Sequence, residues 1–354
     1  MTRPFVSVLI DTYNHERFIE QAIVSVLEQD FPAEDREILV VDDGSTDRTP
    51  EIVRKFEPRV RLIRKENGGQ ASAFNAGIPE CEGEIVAFLD GDDWWVREKL
   101  RIVSEAFREN PGVGSVGHGC RMVDVAGNLQ SLVTAEKAYK FDARNEEGAR
   151  LFSQLRCFLG ASKVAYRTFI TKQILPVPEG AVIEADEYLF TVAACLMDLF
   201  ILEQPLFNYR LHENNLYMLQ NRNERALLRK YESLCCLLKS LPPKMDSLGI
   251  SAEVKRIMLE PLAVEVQSHR LQIEGGSRWE MFQSERSGAE LAYSHTPFGY
   301  KLFKYFAMAI ALTLPPRYFL LLKEWYAAKD LRRIRKWFGD PVPAAPIIER
   351  RIKG

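Results

Sequence analysis

Residues 84–95 read EIVAFLDGDDWW, an apolar run that ends in Asp90, Asp92 and Asp93 around Gly91. The segment Glu84 to Leu89 predicts a buried strand. Three carboxylates within four residues concentrate more negative charge at its end than a turn tolerates without a cation nearby. A divalent metal is the natural counterion. Magnesium takes one or two protein carboxylates and completes its shell with waters and substrate phosphates, so a nucleotide diphosphate is implied. Taken alone, the residues also fit an Asp-Gly turn with solvated acids. Trp94-Trp95, following directly, argue against a hairpin.

Upstream of this stretch, strand and helix patterns alternate. Phe5 to Asp11 is a β-branched apolar run, and Glu16 to Gln29 carries Phe18, Ile19, Ala22, Ile23, Val26 and Leu27 on one helical face. Glu37 to Val41 predicts a second buried strand ending in Asp42-Asp43-Gly44-Ser45, after which Thr49 as N-cap and Pro50 at the first helical position start a helix. Val60 to Arg64 predicts a third strand. Gly68-Gly69 opens a short helix to Asn75 with Gly77 as its C-cap, and Trp95 to Glu109 reads as helical. Such alternation predicts an α/β fold, a mostly parallel sheet flanked by helices, with ligands bound beyond the carboxyl ends of the strands. Thr12, Tyr13 and Asn14, the run Asp42 to Asp47, and Asp90 to Asp93 all fall at such ends, so three separate segments converge on one crevice. Read alone, Asp42 to Asp47 equally fits a polar turn satisfying helix N-terminal amides. Beside the Asp90 cluster, a carboxylate there can accept from a base N–H or a ribose hydroxyl, and the Tyr13 ring offers a stacking face.

The chain has 354 residues, 46% of them hydrophobic and 27% charged, a globular composition for about two domains. Six cysteines show no paired spacing of the kind a structural zinc site needs and read as buried or free thiols. The apolar run after Met-Thr-Arg-Pro is too short for a signal-peptide core and lacks a cleavage site, so a cytoplasmic location is expected. Gly112 to Gly117 fits G-x-G-x-x-G, but Asn110-Pro111 and a helix precede it and the strand-like Ser115 to Val125 follows, the reverse of a dinucleotide-binding context. No P-loop motif is present. Net charge is −2, yet residues 297–354 carry 12 Lys/Arg against 4 Asp/Glu, leaving the rest acidic. A nucleic-acid partner is not expected.

Ser7-Val-Leu-Ile-Asp-Thr-Tyr-Asn14, Val40-Val-Asp-Asp-Gly-Ser-Thr-Asp47, Asn67-Gly-Gly69 with Asn75-Ala-Gly77, and Phe88-Leu-Asp-Gly-Asp-Asp93 together resemble glycosyltransferase family 2, with its GT-A (Rossmann-like) fold. The likeness is close over residues 5 to about 100, weakens from 110 to 180, and returns in Ala185-Asp-Glu-Tyr-Leu189 and Tyr209-Arg-Leu-His212. The resemblance implies an inverting enzyme that uses a nucleotide-sugar donor, with UDP the expected carrier, and a divalent metal, Mn2+ or Mg2+. It implies donor-binding roles for Thr12, Tyr13, Asn14, Asp42, Asp43, Gly69, Asn75, Asp90, Asp92 and Arg210. Asp90 and Asp92 match the DxD motif, Asp92 and His212 the metal site, and Asp186 the general base. Two positions depart from the family pattern: Asp11 stands where Pro is commoner, and Phe74 where Arg is often found before Asn. Without the resemblance, Asp186 and Glu187 read as dipole partners opening an apolar helical run, Tyr188 to Leu202, and His212 lies in a polar loop.

The expected organisation is a catalytic domain over residues 1–220, with a nucleotide-sugar half to about 110 and an acceptor half over 111–220, followed by a helical region over 221–354. Acceptor contacts are expected from Phe158 to Ser162 and from the loop Pro176 to Ile183, with a saccharide or lipid-linked saccharide as acceptor, in cell-surface polysaccharide or glycolipid synthesis. Ala226 to Leu241 and Ala252 to Ile273 read as amphipathic helices. Tyr305 to Leu314 is too short to cross a bilayer. The basic-aromatic run Lys329 to Phe338, with the aromatic residues before it, has the composition of a segment lying on an anionic membrane surface, placing that contact within residues 297–338. A helical cap with a solvated basic face is the alternative. Two other functions fit parts of the pattern. A sugar nucleotidyltransferase would want a Gly-rich basic loop where Asp11-Thr-Tyr-Asn-His-Glu16 stands, and a non-catalytic sugar-binding scaffold would not need Asp186.

Overall fold

Alternate residues of Val6–Thr12 face opposite sides of a sheet and both sides are buried, which makes this strand central. The computed structural model describes residues 5–212, 215, 224–293, 305, 308–315, 318–319, 322 and 347–351. Its strands are β1 (Val6–Thr12), β2 (Arg36–Asp42), β3 (Arg61–Arg64), β4 (Ile85–Asp90), β5 (Trp94–Trp95), β6 (Val113–Asp124), β7 (Leu129–Ala135), β8 (Tyr139–Phe141), β9 (Val164–Arg167), β10 (Asp198–Leu211) and β11 (Ile347–Arg351). The helices are α1 (Ile19–Leu27), α2 (Thr49–Arg54), α3 (Gln70–Gly77), α4 (Lys99–Glu109), α5 (Glu146–Leu155), α6 (Thr168–Ile174), α7 (Asp186–Leu196), α8 (Glu224–Ser247), α9 (Ala252–Ile273) and α10 (Arg278–Tyr293).

One sheet runs in the order β11-β7-β6-β9-β4-β1-β2-β3, with β10 pairing β5, β6 and β8. The strands β4, β1, β2 and β3 are mutually parallel, as the alternation predicts. From β9 onward the pairing is mostly antiparallel, so the sheet is mixed. The register sets Thr12 opposite Asp42 and Asp11 opposite Asp90, bringing three polar strand ends to one edge.

On one face of the sheet, Val8, Ile10, Val40 and Leu89 pack with residues of α1, α2 and α4. On the other, Leu9, Val41 and Phe88 belong to a cluster that continues through α3, α5, α6 and α7 to Leu234, Leu237 and Leu262 of α8 and α9. The helical region from Glu224 is thus built into the core beneath the site. A smaller cluster joins Leu271 and Met281 to Ala311 and Phe319. The run Lys329 to Phe338 lies outside the described residues. Among the described residues, no helix is long and apolar enough to cross a membrane.

Several local expectations are corrected. Thr49 lies inside α2, and the side chain that receives its amide is Asp47, at 2.9 Å. Trp94–Trp95 form a short strand against Phe207–Asn208, which delays the helix to Lys99. The apolar run after Asp186 stops being helical at Leu196, because Leu199–Ile201 pair with both β6 and β8. Leu211 still belongs to β10, so His212 follows a strand end.

Gly77 is not a C-cap. It lies within α3, where a Cβ would meet Leu9 Cδ1 at 2.5 Å and Val41 Cγ2 at 2.8 Å. Its lack of a side chain lets α3 lie close on β1 and β2. Gly77→Val should therefore destabilise the fold by at least about 2 kcal/mol through overpacking. Urea unfolding checks this, and an unchanged midpoint would show that the helix can lift away without cost.

Candidate active site

The crevice is walled by loops that spend much of their polarity on one another. Asn14, at φ 56, accepts from Thr46 N at 2.8 Å through Oδ1, while its own amide donates to Ser45 Oγ at 2.8 Å. Asparagine tolerates that left-handed conformation. Asp42 is inaccessible, accepting from Ser45 N at 3.0 Å and pairing with Arg64 Nε at 3.2 Å. Asp43 pairs with Lys65 at 2.7 Å and receives the amides of Gly68 and Gly69 at 3.0 and 2.7 Å. Gly69 itself, at φ +83, lies so close to Val182 that a Cβ would come within 2.8 Å of its backbone. Asn75 forms a reciprocal pair with the Val177 backbone, both bonds at 2.8 Å.

Asn14, Asp42, Asp43 and Asn75, the residues expected at the donor, thus bond within the protein through their side chains and shape the crevice. Thr12 is buried, with Oγ1 3.2 Å from His15 Nδ1. Tyr13 is different. It is 44% exposed at the crevice edge, leaving its ring open to a planar ligand.

Behind these walls the carboxylates gather. Asp90 and Asp11 are register partners on adjacent strands, where two like charges repel. Burial, then Asp92, then Asp186, push the Asp90 carboxyl up to about 7. Burial, reinforced by Asp90 and Asp92, holds Asp11 well above the usual carboxylate range. Asp93 is raised in the same way, by burial and then by Asp92 and Asp90. Burial also opposes ionisation of Asp92, but the hydrogen bond with His212 and the nearby His15 outweigh it and lower its pKa. His212 Nε2 is 3.0 Å and His15 Nε2 3.9 Å from Asp92 Oδ2.

Arg210 lies against the rings of Phe18 and Trp94, 4.6 and 4.3 Å from their centroids. It donates to the Asp92 carbonyl at 2.8 Å and to Gln21 at 2.7 Å. This guanidinium, expected at the donor, braces the loop that presents Asp92.

A single short turn joins the two ends of the crevice. Ser162 Oγ donates to Asp90 Oδ2 at 2.9 Å, and the adjacent Ala161 amide donates to Asp186 Oδ2 at 3.0 Å. Buried Lys99 fixes the turn from below, donating to the Ser162 carbonyl at 2.9 Å. Gln70 links the same groups: Nε2 lies 3.5 Å from Asp90 Oδ1, and Oε1 accepts from Ala185 N at 3.0 Å. Burial raises the Asp186 pKa against the pull of the Ala161 amide and Lys163. Glu187, also raised by burial, pairs with Arg156.

The structure thus brings Asp90, Asp92, His212 and Asp186 together. Within Phe158 to Ser162, the segment expected to touch an acceptor, the Ala161 amide and the Ser162 hydroxyl hold Asp186 and Asp90. Sequence reading missed Gln70 and Lys99, which carry no motif signal, and His15. It noted Asp11 only as a departure from pattern. Among the described residues, no three His, Cys, Asp or Glu side chains are arranged to hold a metal ion by themselves.

Parallel strands ending in an acidic crevice, with a second acidic position delivered by a helix start on the antiparallel side, define a GT-A type of fold. The chain belongs to glycosyltransferase family 2, whose sequence profile, "Glycosyl transferase family 2", matches residues 7–169. It is similar to an uncharacterized glycosyltransferase of Nostoc sp., 33% identical over 60% of this chain and 66% of that protein. It is also similar to the poly(ribitol-phosphate) beta-N-acetylglucosaminyltransferase TarS of Staphylococcus aureus, 30% identical over 54% of this chain and 32% of the relative. The chain therefore spans between 32% and 66% of the length of these relatives. The crystal structure of S. aureus TarS 1–349 in complex with UDP shares the fold, with a TM-score of 0.51 at 20% identity over 86% of this chain and 89% of that one.

The raised Asp90 pKa has a consequence for stability. An unfolded Asp loses its proton near pH 4, but the folded chain keeps this one to about 7, so stability falls as pH rises between those values. Asp90→Asn lacks this uptake. In metal-free buffer, its urea midpoint should rise relative to wild type as pH is raised from about 4 to about 7. A difference that stays flat across the window would show that Asp90 titrates as an ordinary carboxyl.

Proposed function

We propose that the protein transfers a glycosyl group from a nucleotide-sugar donor, with UDP as the carrier, to an acceptor hydroxyl with inversion at the anomeric carbon. The observation that carries this reading is the turn at Ala161–Ser162, whose neighbouring residues hold Asp90 and Asp186. A binding scaffold has no need to hold a second, buried acid at a fixed place beside the first.

In this reading the Tyr13 ring stacks on the base, and the walls tied by Asn14, Asp42 and Asp43 receive the nucleoside. Asp90 accepts a donor hydroxyl. Asp92 and His212 offer an oxygen and a nitrogen 3.0 Å apart, a donor pair that fits Mn2+ or Mg2+ drawing the rest of its shell from diphosphate and water. When bound there, the cation supplies Lewis-acid stabilisation of the charge on the departing diphosphate.

Asp186 takes the proton of the acceptor hydroxyl as its oxygen bonds to the anomeric carbon, and the electron pair of the breaking C–O bond leaves with the diphosphate. Its raised pKa makes it a stronger base than an exposed carboxylate. The name of the TarS relative makes UDP-N-acetylglucosamine the first donor to try and a hydroxyl-bearing cell-surface polymer or glycolipid the acceptor class. Contact with an anionic membrane surface rests on the composition of residues 297–338; replacing Arg332, Arg333 and Arg335 by Glu should abolish flotation with anionic liposomes.

Asp186→Asn should lower turnover of UDP-N-acetylglucosamine with Mn2+ by about 10²- to 10⁴-fold while leaving UDP affinity nearly unchanged. Parallel loss of UDP binding would give Asp186 to the donor site. Asp92→Ala should instead remove the metal dependence of UDP binding, read by calorimetry with and without Mn2+. Metal-dependent UDP binding that survived this change would move the metal site elsewhere.

A further inference from the structure

The segment leading into Asp186 is gripped from two sides. The donor half holds it through α3: Gln70 N donates to Val182 O at 3.2 Å, and Gln70 Oε1 accepts from Ala185 N. The opposite grip comes from α8, beyond the family-matched residues. Ser233 Oγ accepts from Ile183 N at 3.3 Å and donates to Gly180 O at 3.4 Å. One turn earlier on the same helix, Lys230 reaches Glu184 Oε1 at 2.8 Å and Glu265 Oε1 of α9 at 2.7 Å.

Lys230 is only 3% exposed, so its charge is out of water and held between two carboxylates. Glu184 has φ 58, a left-handed conformation that a glutamate keeps only where its surroundings enforce it. Its carbonyl accepts from Glu187 N at 3.1 Å, closing the first turn of α7 around Asp186. Rotation at Glu184 would therefore carry Asp186 with it. The Ala161 amide fixes the far side of the Asp186 carboxyl, while the Glu184 side chain is held by Lys230.

We infer that Lys230 is a positioning residue for the reaction: through Glu184, helix α8 sets where Asp186 stands relative to Asp90. The inference rests on Asp186 acting as the base. It makes α8 and α9 part of the catalytic unit, and it predicts a turnover defect with an intact donor site. A residue that merely tied α8 to α9 would lower both together or neither.

The test uses the full chain, UDP-N-acetylglucosamine with Mn2+ and water as the surrogate acceptor, reading released UDP, with UDP affinity measured alongside. Lys230→Met should lower kcat by about ten- to a hundredfold, the size expected for a misplaced catalytic group, with UDP affinity within about twofold of wild type. Lys230→Arg, which keeps the charge, should recover most of the loss. Glu184→Gln, which leaves the Lys230–Glu265 pair in place, should lower kcat in the same sense and serves if Lys230→Met does not fold. Wild-type kcat in either Lys230→Met or Glu184→Gln overturns the inference, as does UDP affinity that falls in step with kcat. A wild-type chain that binds UDP but turns over no donor would overturn the proposed function and this inference with it, whereas Asp186→Asn dead and Lys230→Met fully active would overturn this inference alone.

Discussion

Buried negative charge at the ends of β1 and β4 is the constraint to which the rest of the molecule answers. Asp11 faces Asp90 across a parallel pair, Asp92 and Asp93 follow within three residues, and Asp186 arrives from α7. Such a group would repel itself apart unless protons, donors or cations offset it. The fold supplies protons and donors. Protons stay on Asp11 and Asp93 to unusually high pH, Ser162 and the Ala161 amide donate, and the histidines beside Asp92 keep that one carboxylate ionised. The result is a division of labour among chemically identical side chains, set entirely by what each one touches.

Much of this was legible in the sequence, and the boundary of legibility has a physical reason. Strands β1, β2 and β4 could be read because buried parallel strands leave continuous apolar runs, and the acids at their ends because motif spacing fixes them locally. What could not be read was which partners the polar residues take within the protein. Asn75 looks the same in sequence whether it meets a sugar or the Val177 backbone, 102 positions away. Arg210 and Asp92 are 118 positions apart. The break of the apolar run at Leu196 was also hidden, because leucine and phenylalanine serve a buried helix as well as a strand, and only pairing with β6 and β8 decided it.

The C-terminal helices belong with the sheet that carries the crevice. Composition separates them, since polar clusters of catalytic kind stop before Glu224. Packing does not: Leu234, Leu237 and Leu262 share one cluster with Leu9 and Phe88. A family profile that ends at residue 169 therefore covers the crevice walls and the strand that ends in Asp90, while the segment bearing Asp186 and the helices that support it lie beyond it. Divergence in that supporting layer can shift Asp186 while leaving the crevice walls as they were.

The stacking of Arg210 on Trp94 gives the molecule a natural optical reporter. That indole adjoins Asp92 and shares its neighbour's guanidinium, so any event that reorients the acidic loop changes the surroundings of a chromophore. With the other indoles exchanged for phenylalanine, emission from this one would follow occupancy of the crevice in real time, without label or coupled assay.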